Sequence, residues 1–217
     1  MAELDESGSK LTIKLVYYGP AMSGKTTNLM SLHDVLRPEL KGEIMTLETK
    51  NDRTLFFDLL PLGIRAPSGL LIKFKLYTVP GQVAHDSTRK AVLSRADGVV
   101  FVADSQLAQG LNNAEAFENL ADNAARVGLD FETLPLVVQY NKRDLPGIVA
   151  EQDVLARWTT TSWPVVFASA VSGLGVRTTF AELLRRVYRA VDAQYQLAAA
   201  HRLDEDRFVS AAVGGAD

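Results

Sequence analysis

The eight residues Gly19-Pro20-Ala21-Met22-Ser23-Gly24-Lys25-Thr26 constrain this chain more than any other feature of its sequence. They match G-x-x-x-x-G-K-[ST], a pattern that carries meaning only between a strand and a helix. Both flanks are present. Leu11 to Tyr18 (L-T-I-K-L-V-Y-Y) alternates and then turns continuously apolar, as a strand entering a buried sheet does. From Gly24 to about Arg37, Leu29, Leu32 and Leu36 recur at helical spacing, and Pro38 stops the run. The glycines let the backbone wrap closely, so that its N–H groups point inward at the positive end of the following helix. Such a loop cradles phosphates. Lys25 would bridge the β- and γ-phosphates, the Thr26 hydroxyl would ligate Mg²⁺, and Ala21, Met22, Ser23 and Thr27 would complete the cradle. The plainer reading, a glycine-rich turn with no ligand, fits the flanking elements poorly.

The rest of the chain repeats the alternation. Leu70 to Thr78 sets Leu70, Ile72, Phe74 and Leu76 against Lys73, Lys75 and Tyr77, which predicts a strand with one dry and one wet face, near a sheet edge. Gly98 to Asp104, Leu134 to Asn141 and Pro164 to Ser169 are short, β-branched runs of the kind found in central parallel strands. Helical patterns separate them at about 83–95, 112–128 and 150–160, and a last one runs from about Val176 to Ala200. In that helix Phe180, Leu184, Val187, Val191 and Tyr195 form a packing stripe. The expectation is a doubly wound, mostly parallel α/β sheet with helices on both faces and ligands at the carboxyl ends of its strands. Residues 11–200 would form that domain, 1–10 a flexible acidic extension, and 201–217 a tail without sustained period and hence without structure.

The other motifs fall at strand ends. Asn141-Lys142-Arg143-Asp144 supplies what guanine needs, because the Asp144 carboxylate can accept from the N1–H and N2–H₂ pair. Adenine offers no such pair and would leave a buried carboxylate unsatisfied, which disfavours a phosphate-loop kinase or ATPase. Asn141 would hold the loop and reach N7, and the Lys142 stem could cover the base. Alone, the string could be a solvated turn; its place beyond a phosphate loop argues for the base. Ser169-Ala170-Val171 would present a backbone N–H to guanine O6, a reading compatible with a simple turn before the last helix. At Thr78-Val79-Pro80-Gly81-Gln82, the Gly81 amide could meet the γ-phosphate and Gln82 could orient the attacking water, or Pro-Gly could be a turn alone. Thr54 could close the Mg²⁺ shell when the γ-phosphate is present. Arg53 reads either as an arginine finger supplied in cis or as a surface arginine paired with a carboxylate.

Composition bounds the setting. With 217 residues and 47% hydrophobic side chains the chain can bury one core. It has no cysteine, so neither disulfides, thiolate metal sites nor thioether lipid anchors enter. The first ten residues lack the apolar segment of a secretory signal, and no apolar run approaches the roughly 18 residues of a membrane span. A net charge of −3 gives no general attraction to nucleic acid or anionic lipid. His33, His85 and His201 have no metal-ligand spacing. The expectation is a cytoplasmic protein.

Taken together these residues resemble the Ras-like small GTPases, and among them the bacterial MglA family of polarity and gliding-motility GTPases. The tracts that carry the resemblance are V-Y-Y-G-P-A-M-S-G-K-T-T-N-L, N-D-R-T-L-F-F-D-L-L-P-L, L-Y-T-V-P-G-Q, G-V-V-F-V-A-D-S-Q and Q-Y-N-K-R-D-L-P, spread over roughly Leu11 to Val191. The resemblance implies a GTP-binding switch that hydrolyses GTP to GDP slowly with Mg²⁺. It implies a roadblock-fold activating partner like MglB that inserts no arginine of its own, and a strand before the switch that shifts register between nucleotide states. Leu55 to Leu62 would then be a docking surface or simply core. Most small GTPases have an aspartate where this chain has Thr78, holding a Mg²⁺-bound water, so the resemblance leaves that role without an occupant. The alternative function is a nucleotide-dependent scaffold with negligible turnover. Effectors and pathway do not follow from the sequence.

Overall fold

The computed structural model describes residues 2–48, 56–81 and 86–214, without the side chains of residues 47, 48, 56 and 57. The strands are β1 (Glu3–Leu4), β2 (Lys10–Tyr18), β3 (Met45–Glu48), β4 (Phe56–Arg65), β5 (Leu71–Thr78), β6 (Gly98–Asp104), β7 (Leu136–Asn141) and β8 (Val165–Phe167). The helices are α1 (Lys25–Val35), α2 (Asp86–Leu93), α3 (Gly110–Arg126), α4 (Glu151–Trp158), α5 (Val176–Tyr195), α6 (Leu197–His201) and α7 (Glu205–Val213). They build one sheet in the order β3-β4-β5-β2-β6-β7-β8, with β1 added antiparallel to the start of β2. From β5 to β8 neighbouring strands run parallel, and β3 and β4 are antiparallel additions beside β5. The chain leaves β2 toward β5 on one side and later resumes at β6 on the other. That reversal opens a crevice at the carboxyl end of β2, where the phosphate-loop pattern lies.

Two apolar clusters cover the two faces. Leu11, Ile13, Leu15, Leu29, Phe74, Phe180 and Phe208 belong to the cluster that joins the sheet to α1, α5 and α7. Val16, Tyr18, Leu93, Phe101, Leu120 and Val154 belong to the one beneath α2, α3 and α4. The strand β6 (G-V-V-F-V-A-D) is buried at every position, as its continuous apolar run requires.

Several expectations are corrected. The β5 strand is interior, not near an edge: its alternation reports one dry face (Ile72, Phe74, Leu76) and one wet one (Lys73, Lys75), and β4 fills its free side. Of the Leu55–Leu62 run, open between docking surface and core, Leu55 lies outside the described residues, and the burial of Asp58, Leu59, Leu60 and Leu62 decides for core at these four. The last long helix ends at Tyr195, because Gln196 takes a left-handed conformation (φ 51°) before α6 begins. The extension is not loose over residues 2–10: β1 pairs with β2, Ala2 is buried, and its carbonyl accepts the Tyr195 hydroxyl at 2.6 Å. Nor is the tail without structure. Asp204 caps α7 by accepting from the Arg207 N–H at 2.9 Å, and Phe208, Val209, Ala212 and Val213 form its buried face. Phe208 meets Phe74 edge to face at 5.5 Å and lies 5.3 Å from Tyr188. Four apolar residues in two turns are too short a pattern to stand out from composition.

Candidate functional site

The phosphate loop follows β2, and α1 begins directly at Lys25. Gly24 precedes it in the left-handed region (φ 96°), and a Cβ there would lie 2.3 Å from Nδ2 of Asn141. Only glycine satisfies both conditions. No side chain caps this end of α1 and no acidic residue stands in its first turn, which leaves the positive end of the helix dipole toward the loop. Lys25 is only 7% exposed, and its Nζ donates to the carbonyls of Gly19 at 3.0 Å and Pro20 at 2.6 Å. Burial, and then the nearby Arg89 guanidinium, pull its ammonium down to about 7. Among the described residues this buried cation donates only to neutral acceptors, so its charge is available to an anion. A recess of about 480 Å³ opens beside it, lined by Met22, Gly24, Thr26, Thr27, Asp58, Thr78 and Gly81 among others.

Across that recess stands a group that sequence reasoning missed. Asp58, on β4, is 8% exposed and accepts the Thr26 hydroxyl at 2.6 Å. It also accepts the hydroxyls of Thr78 and Thr46, each at 3.2 Å, while its own N–H donates to Thr78 Oγ1 at 2.8 Å. The register Leu59↔Tyr77 sets Asp58 beside Thr78 on the neighbouring strand. The chain thus brings a carboxylate to the Thr26 hydroxyl from β4, at the place where Thr78 offers none. A lone aspartate in the apolar run Leu55 to Leu62, L-F-F-D-L-L-P-L, was the available signal.

Gly81 lies against the phosphate loop, since a Cβ on it would sit 2.2 Å from Ala21 Cα. The α2 residue Arg89 is fully buried over the Tyr18 ring at 4.5 Å, and its guanidinium nitrogens have no hydrogen-bond partner among the described residues. Arg53, Thr54 and Gln82 lie outside the described residues.

The segments expected to read the base converge on the same rim. Asn141, 2% exposed at the end of β7, donates from Nδ2 to the Ser23 carbonyl at 2.8 Å and accepts the Ala170 N–H on Oδ1 at 2.9 Å. One amide therefore ties the phosphate loop to both later loops. Ser169 donates its hydroxyl to Asp144 Oδ1 at 2.6 Å, which orients that carboxylate. Lys142 has a positive φ of 67°, and its Nζ binds the buried Asp104 carboxylate at 2.6 Å. This ties the Lys142 stem to the end of β6, a constraint the sequence did not indicate. Val171 is 82% exposed at the tip of its loop. Among the described residues no group of three or more His, Asp or Glu side chains is placed to hold a metal. The fit for Mg²⁺ is the hydroxyl and carboxylate of Thr26 and Asp58 beside a phosphate cradle, a hard-oxygen donor set that relies on phosphate oxygens and water for the rest.

A family model described as the ADP-ribosylation factor (Arf) family matches residues 3–187. The chain is a small GTPase of this Ras-like family. Comparison with curated proteins adds the branch: over 187 residues this GTPase is 43% identical to "Mutual gliding-motility protein MglA" of Myxococcus xanthus, covering 86% of this chain and 96% of that protein. It is also 28% identical over 187 residues to "ADP-ribosylation factor-like protein 4D" of Bos taurus, covering 82% and 83% of the two chains. It is thus an MglA-like GTPase, and GTP hydrolysis is the activity of its family. Among the described residues of this GTPase no helix is long and apolar enough to cross a membrane.

Proposed function

We propose that the protein is a Mg²⁺-dependent GTP switch in which Gly19, Ala21–Thr27 and Gly81 hold the phosphates, and Asn141, Lys142, Asp144 and Ser169–Val171 read guanine. The observation that carries this reading is the Asn141 amide, which joins Ser23 of the phosphate loop to Ala170 and so fixes the spacing between the two ends of one nucleotide. The Thr26 hydroxyl would ligate Mg²⁺, and the Asp58 carboxylate beside it, 2.6 Å away, would help hold the hydrated ion against the phosphates. Bound Mg²⁺ would neutralise charge on the β- and γ-phosphates. Thr54 closes the metal shell in the GTP state, Gln82 orients the attacking water, and Arg53 supplies a guanidinium to the transition state in cis.

A carboxylate beside Thr26 supports turnover over the scaffold reading, which arose from its lack at position 78. The name of the Myxococcus relative supports a role in gliding motility, and control of cell polarity or motility through nucleotide-dependent partners is the output proposed for this switch. A roadblock-fold activator that supplies no arginine fits a finger held in cis.

Exchange of Asp144 tests the base assignment. Asp144→Asn presents N–H donors in place of a second acceptor, so guanine loses its partner while the C2 carbonyl of xanthine gains one. We expect GDP affinity to fall at least about a hundredfold and XDP to bind more tightly than GDP, measured by fluorescent-nucleotide displacement. Unchanged GDP preference would remove Asp144 from the site.

A further inference from the structure

A second recess, of about 450 Å³, lies away from the nucleotide crevice, where the end of β4 and the start of the turn to β5 meet α7 and the chain after α1. Arg37, Arg65 and Arg207 line it together with Ser210, and among the described residues no acidic one does. Its apolar lining includes Ile64 and Leu203, both buried. We propose that this recess binds a phosphate monoester, carried either on a soluble metabolite or on a lipid headgroup.

The charge selects the ligand. Arg65 donates one N–H to the Gly69 carbonyl at 3.2 Å, and Arg207 donates one to the Arg202 carbonyl at 3.3 Å. A guanidinium has five N–H donors, so both keep donors for an anion. Asp204 is the acidic partner of Arg207, 3.6 Å from its Nε, and its other oxygen is spent on capping α7. Glu205 is engaged by Arg189 at 3.4 Å. The spare donors of Arg65 and Arg207 face one concavity and place positive potential there in a chain whose net charge is −3. A monoester brings nearly two negative charges and three acceptor oxygens to planar forks built for them, whereas a carboxylate brings one charge and two. The apolar lining suits the carbon that bears the ester.

The site depends on α7, and α7 lies beyond residue 187, where the match to the Arf family model ends. Arg65 is the last residue of β4, the strand that carries Asp58, so an anion shared by Arg65 and Arg207 clamps β4 to α7 in the register described.

Inorganic phosphate titrated into ¹⁵N-labelled protein saturated with a non-hydrolysable GTP analogue and Mg²⁺ tests this, because the α-, β- and γ-phosphate positions are then filled. Saturable shifts should appear in amides of 64–69 and 203–214, and Arg65→Gln with Arg207→Gln should weaken the affinity at least tenfold without changing the melting temperature. Arg207→Lys keeps the charge but not the fork and should weaken it less. Vesicles of phosphatidylcholine with phosphatidic acid separate the sources: binding assigns a lipid monoester, and no binding alongside the phosphate shifts assigns a soluble one. Shifts that survive the double glutamine variant would overturn the proposal. So would equal binding to phosphatidylglycerol vesicles of the same surface charge, or displacement of phosphate by an equal concentration of a glutamate-rich peptide.

Discussion

Asp58→Asn should uncouple β4 from the phosphate loop. In the ligand-free protein the carboxylate accepts the Thr26 hydroxyl at 2.6 Å and two further hydroxyls at 3.2 Å. A hydrogen bond to a charged acceptor contributes about 1.5–3 kcal/mol net, and the longer ones less. Asparagine keeps the shape, retains one acceptor oxygen and turns an N–H₂ toward hydroxyls that can rotate to accept from it. The expected loss is therefore about 2–3 kcal/mol, or a fall in melting temperature of roughly 4–12 °C for a chain of this size. Urea denaturation in EDTA without nucleotide measures it, and a cycle with Thr26→Val isolates the pair, with an expected coupling of about 1.5 kcal/mol or more. With GDP present, the same variant should need about tenfold more Mg²⁺ to slow GDP release, as losing a group that orients a metal ligand does. A coupling below about 0.5 kcal/mol, together with an unshifted Mg²⁺ requirement, would refute the assignment of Asp58 to the phosphate site.

Gln82→Leu and Arg53→Ala should each leave GTP affinity nearly intact and reduce activator-stimulated phosphate release by at least about tenfold; full stimulated turnover in either removes its role. Lys25 gives a pH signature. Its folded value near 7 lies below the ordinary 10.5, so between these values the unfolded chain holds more protons and stability rises with pH. Ligand-free protein should gain about 2 kcal/mol from pH 7 to 9 relative to Lys25→Met, and parallel profiles would show that the lysine is not desolvated. Phe208→Ala should cost about 3–5 kcal/mol in chemical denaturation, since its ring packs between Phe74 and Tyr188; a loss under about 1 kcal/mol would mean α7 does not belong to the core.

Local chemistry was legible in the sequence. Gly24 before Lys25, the continuous apolar run of β6, and Pro38 after α1 each impose their conformation through neighbours a few residues away, and strand, loop and helix followed in the predicted order. The same holds for the placement of Asn141 at the end of β7. Partnership across long separations was not legible. The alternation in β5 reports which face is dry and is silent about what pairs with its edges, so the run that forms β4 was left open between docking surface and core. Asp58 reaches Thr26 only because β4 turns back antiparallel in one register, and a slip of one residue would turn its side chain to the other face of the sheet. Likewise α7 has too few apolar residues to show a period, and it is the apolar cluster joining the sheet to α1 and α5 that holds it. Periodicity encodes the burial of a segment's own face, while the carboxylate of the phosphate site and the arginine recess exist only where strands and helices distant in sequence are brought together by that burial.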